Sequence, residues 1–209
     1  MTLQIGYRLE GRRPGYDFVS STEGYDEETL KRIWQHAMPR GQGWGAEWLT
    51  GAQSLKCFRL DGQTMAVSHV TVTDKEDETG RRGIRQANVS IVPLADYQTY
   101  LTNQLESLPQ RAAEHKLTLA HWLRIIERAL PRVRRTQIVL ALAYKGPDQW
   151  SLIEALVLTL ATSWSLRTLW GPDITLTTLA LTPQDETRIV ALPAHFSQQV
   201  RGTPVITLT

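Results

Sequence analysis

Residues Leu55–Thr73, LKCFRLDGQTMAVSHVTVT, decide the fold of this chain. Leu55–Leu60 and Thr64–Thr73 read as two strands. The Asp61-Gly62 dipeptide between them signals a two-residue hairpin turn, in which both positions take positive φ. The next connection, Asp74–Gly83 (DKEDETGRRG), is longer and charged and leads into Ile84–Val92. There Ala87, Val89 and Ile91 share one face, while Asn88, Ser90 and Val92 share the other. Three strands joined in sequence predict an antiparallel meander.

Toward the N-terminus, Leu3–Leu9 reads as a strand ended by Arg12, Arg13, Pro14 and Gly15. A Ser/Thr loop follows, then a helix with Asp26 as N-cap and Glu27 and Glu28 at its positive end. Leu30, Ile33, Trp34 and Ala37 keep helical spacing and predict one apolar face, and Pro39 and Gly41 stop the helix. Arg40–Ser54 reads as a Gly-rich loop carrying Trp44 and Trp48.

Toward the C-terminus, Pro93 ends the meander and Ala95–Leu108 predicts a helix that buries Tyr97, Tyr100, Leu101 and Leu105. The polar run Gln110–Lys116 is the best candidate boundary. Thr118 is placed to cap a helix bearing Leu119, Trp122, Leu123, Ile126 and Leu130, closed by Pro131. Gln137–Tyr144, QIVLALAY, is a continuous apolar run, as expected of a strand covered on both faces. Gly146-Pro147-Asp148 opens a helix to about Trp164 that is apolar nearly all round and therefore buried. Ile174–Leu181, Arg188–Leu192 and Pro204–Leu208 read as strands, and Ala194–Val200 as a short helix. The class is α+β: an antiparallel meander with flanking helices over 1–110, then a mixed α/β half over 117–209, as two units or one.

The 209 residues are 42% hydrophobic and 21% charged, an ordinary globular composition that can bury a core without staples. A formal charge of +2 gives no support to a nucleic-acid or anionic-membrane partner. Cys57 is the single cysteine, which fits a reducing compartment, and its apolar strand predicts a buried structural thiol. The N-terminus lacks the order of a signal peptide, and the longest apolar run, Leu152–Leu160, is too short for a span. These features lead us to expect a cytoplasmic protein.

No segment carries a strong chemical motif. Gly41, Gly43 and Gly45 follow a helix, whereas a phosphate-binding glycine loop follows a strand and opens a helix, so no nucleotide cofactor is expected. The five histidines show no short metal-ligand pair. Ser68 and His69 are adjacent, but no serine sits in a nucleophile elbow. Catalytic, cofactor and metal residues are therefore all read as none. The features that suit a partner are Trp44 and Trp48 on the Gly-rich loop, and Arg81, Arg82 and Arg85 opposite the acidic run Asp74–Glu78. A tryptophan exposed there would be an interface anchor. Arg132, Arg134 and Arg135 read as a helix C-terminus complementing its dipole.

Three stretches resemble the N-terminal region of bacterial GTPase-associated proteins: IGYRLEGRRPGYDFVSST (Ile5–Thr22), RQANVSIVPLADY (Arg85–Tyr97) and EALVLTLATSWSLRTLWGPDITLTTLAL (Glu154–Leu181). Thr162-Ser163-Trp164 stands where that pattern has a Leu-Pro break. The resemblance implies a non-catalytic partner of a small GTPase in a bacterial conflict or signalling system, with an architecture similar to longin or DENN-type modules. Sequence leaves two classes open: a protein-interaction module, or a hydrolase whose Ser and His are assembled by the fold. A flat face of Trp and Arg would favour the first. A polar pocket enclosing His69 or His121 with a carboxylate would favour the second.

Overall fold

A computed structural model of the protein describes residues 2–8, 15–38, 49–76, 80, 82–108, 116–130, 137–142, 149–181, 187–200 and 204–208. The fold is α+β. Among the described residues there are nine strands: β1 (Thr2–Arg8), β2 (Gly15–Phe18), β3 (Gln53–Arg59), β4 (Thr64–Val72), β5 (Arg85–Pro93), β6 (Ile138–Leu142), β7 (Leu176–Thr177), β8 (Ile189–Pro193) and β9 (Val205–Leu208). They form one sheet in the order β2-β1-β5-β4-β3-β7-β8-β6-β9. Every pairing from β2 through β7 is antiparallel, and every pairing from β7 through β9 is parallel. The meander β3-β4-β5 is as expected, and the β3–β7 pairing joins the antiparallel and parallel halves.

The helices are α1 (Glu27–His36), α2 (Leu94–Ser107), α3 (Lys116–Ala129), α4 (Trp150–Thr162) and α5 (Trp164–Trp170), with a 3-10 turn over Ala194–Gln199. Strand side chains alternate between the two faces, so the sheet supports a core on each. One face carries the main core, where Cys57, Met65 and Leu140 meet Tyr97, Leu101, Trp122, Ile126, Leu156 and Leu166 of α2–α5. The other face carries a cluster under α1 (Leu3, Ile5, Ile33, Ala66, Val89) and another beside the 3-10 turn (Val139, Val190, Leu192). All five residues of β6 are buried, as its unbroken apolar run required.

Several local readings are corrected. Residues 15–18, read as turn and loop, pair with β1 instead, because Tyr16 and Phe18 align with Tyr7 and Ile5 on a shared face. The β3–β4 turn does not use positive φ at Asp61 or Gly62. The Asp61 carboxylate accepts from the Gln63 and Thr64 amides at 2.6 and 2.9 Å, so a side chain rather than a left-handed backbone closes the turn. Asp26 caps α1 as expected, accepting from the Thr29 amide at 2.8 Å, but Trp34 stays 41% exposed. Thr118 lies inside α3 rather than capping it.

The expected strand Ile174–Leu181 shrinks to Leu176–Thr177; beyond it the Thr178 amide still donates to the Leu55 carbonyl at 2.9 Å, but side-chain hydroxyls share the pairing with the backbone. Thr178 Oγ1 accepts from the Leu55 amide at 2.8 Å, and Ser54 Oγ donates to the Leu179 carbonyl at 3.2 Å. The boundary run 110–115, Pro131 and Gly146-Pro147-Asp148 lie outside the described residues. Among the described residues no single helix is long and apolar enough to cross a membrane.

Candidate functional site

Trp44, Trp48 and Arg81 lie outside the described residues, as do Gly41, Gly43 and Gly45. Arg82 Nε donates to Glu76 Oε2 at 3.0 Å across the β4–β5 hairpin, with both side chains about half exposed. The pair joins the two arms of the hairpin, and at the surface such a pair adds little. Arg85 is committed to the fold. Its amide donates to the Tyr16 hydroxyl at 3.0 Å, and its guanidinium lies 5.2 Å from the centre of the Tyr16 ring. Tyr16 in turn stacks edge-on against Tyr7 at 5.2 Å. Arg85 thereby clasps β2 to β5 across β1.

The nucleophile candidates are placed by the pleat. Ser68 and His69 are consecutive on β4 and point to opposite faces. The Ser68 hydroxyl donates to the Ala37 carbonyl at 2.9 Å, fixing the end of α1 to the sheet. Burial lowers the His69 pKa and so favours a neutral ring. Cys57 is fully buried, and burial pushes its thiol up to about 12, away from thiolate chemistry. Among the described residues no group of three or more His, Cys, Asp and Glu could hold a metal ion.

One buried polar feature was missed. Ser68, Lys56 and Thr177 are consecutive in a row across the sheet that otherwise reads Leu3, Val89, then Val190, Val139 and Val205. Lys56 is only 3% exposed, and its Nζ lies 5.9 Å from the centre of the Phe58 ring. The alternation of β3 places Lys56 on a buried face, but nothing in LKCFRL distinguishes that face from a solvated one.

The more informative omission is α5. The apolar run from Trp150 reads as one helix to about Trp164, and α4 ends close to there at Thr162, but beyond a 60° bend at Ser163 the chain continues as a second helix not expected from the sequence. Ser163 Oγ donates to the Leu160 carbonyl at 2.7 Å, closing α4, and accepts from the Leu166 amide at 3.4 Å, opening α5. The bend turns Leu166 into the main core and sends Trp164 outward. Trp164 is 78% exposed and Leu169 44% exposed, with Arg167 and Thr168 exposed between them. Gly171, at φ +86°, ends the helix in a positive-φ conformation that suits glycine. The legible signal was Ser163, a good N-cap residue in a largely apolar run. The result is a short helix, anchored in the core by Leu166, that presents Trp, Arg and Leu to solvent.

No protein family, curated protein or solved structure matches this chain.

Proposed function

We propose that this chain is a non-catalytic protein-interaction module and that α5 is its anchor. The observation that carries this reading is Trp164, 78% exposed on a helix whose other side is fixed in the core by Leu166. An exposed indole on a core-anchored helix offers a large contact area at little ordering cost, which is why tryptophan is enriched at interface centres. Arg167 and Leu169 extend the face, and α5 holds no acidic residue. The surface therefore suits a partner offering an apolar pocket rimmed by carboxylates.

The resemblance to GTPase-associated proteins makes a small GTPase the first partner to test. The experiment is calorimetric titration with the small GTPase encoded nearest this chain's gene, in its GDP-bound and GTP-analogue-bound states. Saturable binding by the wild-type chain that Trp164→Ala weakens supports the reading. Binding unchanged by Trp164→Ala removes α5 from it.

The hydrolase reading draws no support from Ser68 and His69, which face opposite sides of β4. It would return with an ester or amide substrate turned over by the purified chain and lost in Ser68→Ala.

A further inference from the structure

We propose that α5 of one copy docks into an open cleft on a second copy of the same chain, in a head-to-tail contact. The inference rests on the reading of α5 as a binding face, and adds a contact between copies that a small GTPase seated on α5 would displace.

The cleft has a volume of about 680 Å³ and lies between the end of β2 and the start of α1. Asp17, Phe18, Glu23, Tyr25 and Leu30 line it. Beside it Val19 is 48% exposed, and the Trp34 ring lies 5.9 Å from that of Phe18. Of the acidic residues here Asp17 and Glu23 line the cleft, Asp26, Glu27 and Glu28 follow at the start of α1, and Lys31 and Arg32 come one turn further on. The cleft is thus an open, largely polar trough in which Ser20, Ser21 and Thr22 lie between Phe18 and Tyr25, and Asp17 and Glu23 supply the charge.

α5 meets it chiefly through charge: Arg167 supplies a cation for Asp17 or Glu23 or for the face of Tyr25, while Trp164 and Leu169 can cover Phe18 and Leu30. The cleft belongs to the α1 side of the sheet, where Phe18, Tyr25 and Leu30 pack on the smaller core. α5 belongs to the other side, through Leu166. One copy cannot satisfy both halves of the contact itself. Two copies can, and each then leaves one cleft and one α5 free. Such a heterologous contact continues into larger assemblies or closes as a ring. A helix of seven residues buries little area, so the association is weak and concentration-dependent.

The test is sedimentation velocity on the purified full chain between about 10 µM and about 500 µM, the regime of small interfaces. We expect a sedimentation coefficient that rises with concentration. Arg167→Glu and Glu23→Arg should each weaken the association at least about tenfold by placing like charges together. The double variant R167E/E23R, with both charges exchanged, should recover it to within about threefold of wild type. Three results would overturn the proposal: a chain monomeric throughout, association indifferent to both reversals, or single losses that the double variant fails to restore. A monomeric chain whose partner titration is still weakened by Trp164→Ala would end this inference alone and leave the protein-binding reading standing.

Discussion

The hydroxyl of Tyr97 donates to the carbonyl of Ile174 at 2.8 Å, with both residues buried and 77 positions apart. The bond ties α2, which follows the antiparallel meander, to the segment entering β7, where the parallel half begins. It satisfies a buried carbonyl just before the short β7 ladder. Tyr97→Phe leaves that carbonyl without its partner, so unfolding free energy should fall by about 1–2 kcal/mol in urea denaturation. A change within about 0.3 kcal/mol, inside ordinary surface scatter, would show that the bond contributes nothing.

The centre of the main core is α4. Leu156 is fully buried there, among residues of α2 and of the sheet. Leu156→Ala removes packed methyl groups and leaves a cavity, and should cost about 2–5 kcal/mol. A loss below about 0.5 kcal/mol would make α4 peripheral and contradict the packing order described above.

Much of this was legible because it depends on local period. The alternation of Ala87, Val89 and Ile91, the continuous run Ile138–Leu142 and the all-round apolarity of Leu152–Leu160 each dictate how many faces are covered. The misread parts depend on partners distant in sequence. Residues 15–18 form a strand with Tyr7 and Ile5 opposite them, and Ile174–Leu181 keeps only a short ladder, with the Thr178 hydroxyl rather than its carbonyl taking the Leu55 amide. The exposure of Trp164 follows from one hydroxyl at Ser163, a detail that hydrophobic pattern alone overrides.

Glu154 sits on α4 mostly covered by the protein, and burial raises its carboxyl from 4.5 to about 7. The folded state then holds a proton that the unfolded chain has released between about pH 4.5 and 7. Stability from this group is present below the unfolded value and is lost as pH rises through that window. Glu154→Gln should flatten the decline and stabilise the protein at pH 8 by roughly 1–3 kcal/mol. His69 acts with the opposite sign, because burial lowers its pKa and its contribution is lost as pH falls. Comparing Glu154→Gln with wild type cancels the His69 contribution. Parallel stability curves for the two proteins across pH 5–8 would remove the buried carboxyl from the account.

Trp164 should be dispensable for folding. Its side chain is largely in solvent, while Leu166 holds α5 to the core. Trp164→Ala should change unfolding free energy by no more than about 0.5 kcal/mol, whereas Leu166→Ala should cost about 2–5 kcal/mol. Reversal of that order in paired denaturation curves would place the indole inside the protein.

The most direct measurement is calorimetric titration of the candidate small GTPase into the wild-type chain and into Trp164→Ala. The account predicts saturable binding to the wild type and at least about thirtyfold weaker binding to the variant, the loss of an interface anchor. Equal affinity for the two proteins would contradict α5 as the binding face.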